Sequence, residues 1–258
     1  MTTLSRKHQI ATAFAAAETY HTRAEVQRQV AIRLADHLHT LTLPPTPRIL
    51  ELGCGSGFLS QHLLDFWPTS HILLTDITHP MIMRNRAELK KKSGHYHHVV
   101  MDGEYPAVNT GWDLITSSMT LQWFDNLPIA LHHLATLLNP GGWIACSTLG
   151  RDTFHEWRQT CDHFNMPCGT PLYPTSDQLQ ALWPPTGQGK VTEESIRANY
   201  PNPMAFLQDL KTLGTHRAAR DYQPATAGHM RRLLRSKNSP PGFSVTYHVL
   251  HGFFQKRN

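Results

Sequence analysis

Val26, Val30, Leu34, Leu38 and Leu41 recur every three or four positions, which puts one apolar stripe on a helical cylinder and predicts an amphipathic helix over about residues 24–41. Pro44, Pro45 and Pro47 end it, because proline cannot donate the N–H that a helix interior needs. The pattern then changes to short apolar runs at 49–52, 72–74, 99–101, 114–115 and 143–146, separated by helix-like stretches such as the one near 128–138. Strands that alternate with helices predict a parallel sheet covered on both faces.

After Gly150 the rhythm breaks. Residues 151–164 read as a helix, but Pro167, Pro171, Pro174, Pro184 and Pro185 predict a loop-rich surface insertion behind it. Phe206, Leu207, Leu210 and Leu213 form a helical face that closes at Gly214, and Phe243, Val245, Tyr247 and Val249 alternate as a strand does. The chain therefore reads as one α/β domain in three parts. Residues 1–44 form a helical lid, 45–150 the ligand-binding core, and 151–258 a lid over the substrate with C-terminal strands that complete the sheet.

Composition narrows the class. With 258 residues, 40% hydrophobic and 17% charged, the chain can bury a sizeable core and is not disordered overall. No run approaches the roughly 18 apolar residues of a membrane span, and the start has no signal-peptide core, so a cytoplasmic protein without membrane association is expected. Cys54, Cys146, Cys161 and Cys168 contain no C-x-x-C pair and predict neither disulfides nor zinc. His95, His97 and His98 lack a completing carboxylate or thiolate and read as the edge of a strand; no metal is expected. The net charge of +5 is too small to diagnose nucleic acid.

The chemistry begins at Arg48-Ile-Leu-Glu-Leu-Gly53-Cys-Gly55-Ser-Gly57-Phe58, where three alternate glycines follow a buried strand and precede a helix. Glycines at the C-terminal end of such a strand let backbone approach a ligand closely, and a nucleotide is the natural occupant. The spacing is not the dinucleotide fingerprint, whose third glycine would stand at Phe58, and no Gly-Lys-Ser/Thr makes a Walker loop. Asp76, 19 residues beyond Gly57, ends the second strand where a carboxylate can accept both ribose hydroxyls. Asp102-Gly103-Glu104 closes the third strand, where an acid can accept the exocyclic amine of adenine.

With the run from Trp112 to Phe124 and the turn Asn139-Pro140-Gly141-Gly142, this series resembles the class I S-adenosylmethionine-dependent methyltransferases. That resemblance implies a Rossmann-like, seven-stranded, mostly parallel sheet with helices on both faces. It also implies contacts to S-adenosylmethionine from Tyr20, Glu51, Ile77, Met81, Gly103 and Ser117, beside the glycines, Asp76 and Asp102. Phe14-Ala-Ala-Ala-Glu-Thr-Tyr20, Val26-Gln-Arg-Gln-Val30, Leu121-Gln122-Trp123, Leu210-Lys-Thr-Leu-Gly214 and Thr246-Tyr-His-Val-Leu250 resemble, more closely, the biotin-pathway malonyl-acyl-carrier-protein O-methyltransferases. Ser118 departs from the asparagine usual there, and the proline-rich stretch 167–190 matches poorly.

The closer resemblance implies methylation of the free carboxylate of malonyl-acyl-carrier protein, or malonyl-coenzyme A, in early biotin synthesis. An ionised carboxylate, with a reference pKa of about 4, needs no general base, so positioning rather than a triad is expected to supply the rate. Tyr20 is then the expected lid residue, with Gln122 and Trp123 as the wall beside the methyl group. Arg151, Arg158 and Lys211 are candidates to grip the acceptor carboxylate. Residues 211–237 carry seven Lys and Arg against Asp221, so Arg217, Arg220, Arg231, Arg232 and Arg235 are the expected docking patch for an acidic carrier protein. A monomer that does not bind nucleic acid is expected. The sequence leaves open another small carboxylate or an RNA base as acceptor, and a non-catalytic assembly protein that only binds the cofactor.

Overall fold

The computed structural model describes residues 5–215, 225–226, 228–229, 233 and 242–257. The chain opens with α1 (Arg6–Ala15), the short α2 (Tyr20–Arg23) and α3 (Glu25–Leu38). The core follows as β1 (Arg48–Leu52), α4 (Phe58–Phe66), β2 (His71–Asp76), α5 (His79–Glu88), β3 (His95–Val100), β4 (Trp112–Ser118), α6 (Leu127–Leu137) and β5 (Leu138–Leu149). The remainder is α7 (His155–His163), α8 (Ser176–Gln180), β6 (Gly187–Tyr200), α9 (Pro203–Thr212) and β7 (Phe243–Lys256).

The seven strands make one sheet in the order β3-β2-β1-β4-β5-β7-β6. The first five pair in parallel, and β7 runs antiparallel to both β5 and β6. This is the doubly wound, mostly parallel sheet that the alternating pattern predicts. Successive side chains of a strand point to opposite faces, so β1 feeds two cores. Ile49 packs with Leu34, Leu38 and Leu63 on the face covered by α3 and α4, whereas Leu50 and Leu52 pack with Leu134 and Leu138 on the other. All five of these apolar partners, like the three strand residues, are almost fully buried.

Two expectations change. The helix read to about residue 41 ends at Leu38, and a turn with Leu41 N–H donating to Leu38 O carries Leu41 back onto the core. The stretch after Pro185 is not only loop. Gly187 begins a fourteen-residue edge strand that pairs with β7 along its whole length. Its sequence hides it, since an edge strand with one face toward water carries Lys190, Glu193 and Arg197 and alternates weakly. His95, His97 and His98 do lie on an edge strand, β3.

The strand order reverses between β1 and β4, which lie side by side while their crossovers lead to opposite ends of the sheet. Ligands in open α/β sheets bind beyond the carboxyl ends of strands at such a switch point.

Candidate active site

The glycine loop leaves β1 at that point. Gly53, Gly55 and Gly57 all have positive φ, at 68°, 51° and 97°. A Cβ on Gly53 would lie 2.3 Å from Thr120 Oγ1, so only glycine lets the loop pass the chain that follows β4. A Cβ on Gly55 would meet nothing within 4 Å, because that side opens into a cavity. Gly57 caps α4 and lies against Asn85.

The cavity, open mouth included, spans about 710 Å³ of empty space. Gly53, Gly55, Asp76, Ile77 and Met81 line one side, and Asp102, Gly103, Ser118, Met119 and Thr120 the other. Lys7, Ile10 and Phe14 of α1 roof it, with Tyr20, Trp123 and Phe124 completing the wall.

Asp76 is 8% exposed and faces this space. Its Oδ2 accepts the Gly55 N–H at 3.1 Å, and its Oδ1 accepts the N–H and hydroxyl of Thr78 at 2.8 and 3.1 Å. Burial raises its pKa, and these donors oppose the rise. On the far side Asp102 and the fully buried Glu104 share the Lys7 ammonium. Burial alone would depress Lys7, but the bonds and charges of the two carboxylates outweigh it and leave its pKa raised. Glu104 also accepts the backbone N–H groups of Asp125 and Asn126, so it fastens the turn into α6 and only Asp102 lines the cavity.

Several expected contacts lie elsewhere. Glu51 is 1% exposed beneath the loop and does not line the cavity; its Oε2 accepts the Ser60 hydroxyl at 2.6 Å. Burial, with the Asp76 charge adding, pushes its pKa to about 8, while the Ser60 bond pulls the other way. Asn85 joins this raft by donating to Ser60 Oγ and Cys54 O, and its carbonyl oxygen meets the His98 ring. Ser117 also falls short, since its hydroxyl donates inward to Leu52 O at 2.9 Å and its successor Ser118 reaches the space instead. In a strand one step in sequence turns the side chain to the other face.

Tyr20 stacks on Phe58 and meets Phe14 edge-on, with ring centroids 6.1 Å apart in both pairs. Its phenol is driven well up by burial and then by the Asp76 charge, so it remains a neutral donor. Trp123 packs edge-on to Phe14 at 5.5 Å, and Arg6 holds its carbonyl at 3.0 Å. Gln122 does not touch the first cavity. Its amide donates to Met119 O and accepts from the Thr148 hydroxyl, which braces Met119 at a φ of 54°.

None of the three cations expected to grip the acceptor lines this cavity. Arg151, just before α7, donates to Gln178 on α8, and Arg158 on α7 donates to Arg151 O, so both guanidinium groups are held by neighbouring oxygens, and Lys211 is exposed on α9. The docking patch of Arg217, Arg220, Arg231, Arg232 and Arg235 lies outside the described residues. Sequence reasoning missed Lys7, Ile10 and Phe14; an apolar face on a helix before Tyr20 was their only signal.

A sheet of this order, with a glycine loop and an acid at the switch point, is an α/β fold of methyltransferase type, and the family described as a methyltransferase domain matches residues 25–187. A malonyl-[acyl-carrier protein] O-methyltransferase of Magnetococcus marinus is 43% identical over 253 residues, covering 98% of this chain and 94% of that protein. The biotin biosynthesis bifunctional protein BioCD of Bordetella avium is 35% identical over 94% of this chain and 51% of its own length. The solved structure of the YcgJ protein from Bacillus subtilis shares the fold, with a TM-score of 0.62 at 13% identity, covering 88% of this chain and 99% of that one. The chain belongs to the methyltransferase-domain family and, within it, to the malonyl-[acyl-carrier protein] O-methyltransferases. Among the described residues no helix is long and apolar enough to cross a membrane.

Proposed function

We propose that this protein transfers a methyl group from S-adenosylmethionine to the free carboxylate of a malonyl thioester on acyl carrier protein, or on coenzyme A, early in biotin synthesis. The observation that carries this reading is the cavity between Gly53, Gly55 and Asp76, which Gly57 at the α4 cap does not line, in a chain 43% identical to a malonyl-[acyl-carrier protein] O-methyltransferase across nearly its whole length. The donor fits the lining. The open side of Gly55 leaves room for its amino-acid tail, Asp76 faces the place for its ribose, and Asp102 the place for its adenine amine, with Ile77 and Met81 as apolar flanks. When bound, S-adenosylmethionine supplies an electrophilic methyl on a sulfonium: an acceptor oxygen forms the new O–C bond, the S–C bond breaks with its electron pair going to sulfur, and no proton moves.

The protein's own residues therefore bind, align and dry the reactants. Tyr20, Phe14 and Trp123 close the cavity against water, and a water-poor site favours an anionic nucleophile whose charge is being lost. Gln122 braces Met119 through its amide and lines the neighbouring space on the acceptor side. Basic residues of 211–237 would attract an acidic carrier.

The test is incubation with methyl-labelled S-adenosylmethionine and either malonyl-acyl-carrier protein or malonyl-coenzyme A. Base-labile label on the malonyl group is the expected result. Label that stays off both acceptors would refute the reading.

A further inference from the structure

A second cavity lies against the first. The two share Phe14, Tyr20, Met119 and Trp123, so they adjoin along these side chains. The far walls come from other parts of the chain: Gln27 on α3, Phe154 and Tyr173 around α7, Leu210 and Thr215 at the end of α9, and Tyr247 on β7. About 410 Å³ of empty space lies among them, its mouth included. Among the described residues no Lys, Arg, His, Asp or Glu lines it.

Of the buried polar groups without a partner among the described residues, Gln27 is the one on this wall. It is 7% exposed, yet its Oε1 has no hydrogen-bond partner. A buried amide oxygen without a partner weakens a fold, and proteins satisfy nearly all such atoms unless another use retains them. Its position on the chamber wall supplies that use. The Gln27 amide also carries N–H donors, so this wall can offer a neutral donor to a ligand that only accepts.

Resting on the function proposed above, we propose that this second cavity receives the malonyl end of the thioester and that the Gln27 amide hydrogen-bonds its carboxylate, with Tyr20, Met119 and Trp123 lining the junction where the acceptor oxygen meets the donor methyl. The charge balance favours a neutral chamber. An anion and a cation react to give a neutral ester and a neutral thioether, so charge is lost toward the transition state. A buried cation beside the carboxylate would stabilise the reactants more than the transition state, whereas neutral donors orient the anion with less of that penalty. Burial raises the phenols of Tyr20, Tyr173 and Tyr247, which keeps these walls uncharged near neutrality. Arg158 and Arg6, neither of which lines the cavity, draw the Tyr173 phenol part of the way back down.

The experiment compares Gln27→Met and Gln27→Glu with wild type in three measurements: melting temperature, calorimetric affinity for S-adenosylhomocysteine, and malonyl-coenzyme A binding to protein saturated with S-adenosylhomocysteine. Gln27→Met is expected to raise the melting temperature, leave S-adenosylhomocysteine affinity unchanged, and weaken malonyl-coenzyme A about tenfold, with KM rising in turnover by a similar factor. Gln27→Glu is expected to weaken malonyl-coenzyme A further, because it sets a like charge beside the carboxylate. A lower melting temperature with unchanged malonyl-coenzyme A binding would make Gln27 structural, and a parallel loss of S-adenosylhomocysteine affinity would place it on the donor side; either overturns the proposal. With wild type active, those failures leave the methyltransferase reading standing. Wild type that methylates no malonyl thioester overturns that reading and the malonyl assignment with it.

Discussion

The Gly55 N–H donates to Asp76 Oδ2 at 3.1 Å, so the glycine loop after β1 and the acid that ends β2 are one hydrogen-bonded unit rather than two separate binding features. Thr78 holds the other carboxylate oxygen. The acid therefore shapes the loop that it serves beside.

Asp76→Ala should consequently lower two quantities. Affinity for S-adenosylhomocysteine is expected to fall at least tenfold, as when a ligand loses a charge-assisted hydrogen bond worth about 1.5–3 kcal/mol. Stability should fall by about 1–3 kcal/mol, because buried donors of Gly55 and Thr78 lose their acceptor. Calorimetry and urea unfolding read the two effects, and unchanged ligand affinity would remove Asp76 from the site.

Two alanine substitutions in the loop should behave differently. At Gly53 a Cβ would collide with Thr120 at 2.3 Å, so Gly53→Ala is expected to lose both stability and ligand binding. At Gly55 the space is open and the positive φ alone is strained, at a cost of about 1–2 kcal/mol. Gly55→Ala should stay folded and bind S-adenosylhomocysteine more weakly, since its methyl points into the cavity. Circular dichroism with calorimetry separates the pair.

Glu51 predicts a pH dependence. Its carboxyl lies at about 8 in the fold against 4.5 ordinarily, so between those values the folded state holds more protons than the unfolded one. Stability from this group is therefore full below about 4.5 and falls as pH rises toward 8. Glu51→Gln should flatten that slope and exceed wild type in stability at pH 8, by up to a few kcal/mol. Urea midpoints at pH 6 and pH 8 for both proteins provide the check.

Lys7 pins α1 to the rim of the cavity through Asp102 and Glu104. Lys7→Met leaves the fully buried Glu104 without its cation, though its two backbone donors remain. A loss of about 1–3 kcal/mol is expected, below that of a buried pair with no other support. Proteolysis before Tyr20 should also speed up as the roof loosens. An unchanged cleavage rate would show that Arg6 and Arg84, which also bond across this junction, hold α1 by themselves.

The sheet core was legible along the chain because each local signal has a local cause. Buried strands need apolar runs, a turn at positive φ needs glycine, and Gly53, Gly55, Asp76 and Asp102 stand next in sequence to the strands that place them. What folding alone decided are the contacts between distant segments. Ser117 and Ser118 differ by one step of the pleat, so which one faces the cavity depends on strand register. Glu51 is drawn beneath the loop by Ser60, nine positions away on α4. The strand from Gly187 to Tyr200 owes its place to pairing with β7, across chain that no local periodicity links. The second cavity joins Gln27, Trp123, Tyr173 and Tyr247 from four regions of the sequence, and the arginines that charge alone nominates as acceptor ligands are turned instead to carbonyl and amide oxygens at the α7–α8 junction. Local composition determines which elements form; packing determines which of their side chains face the same space.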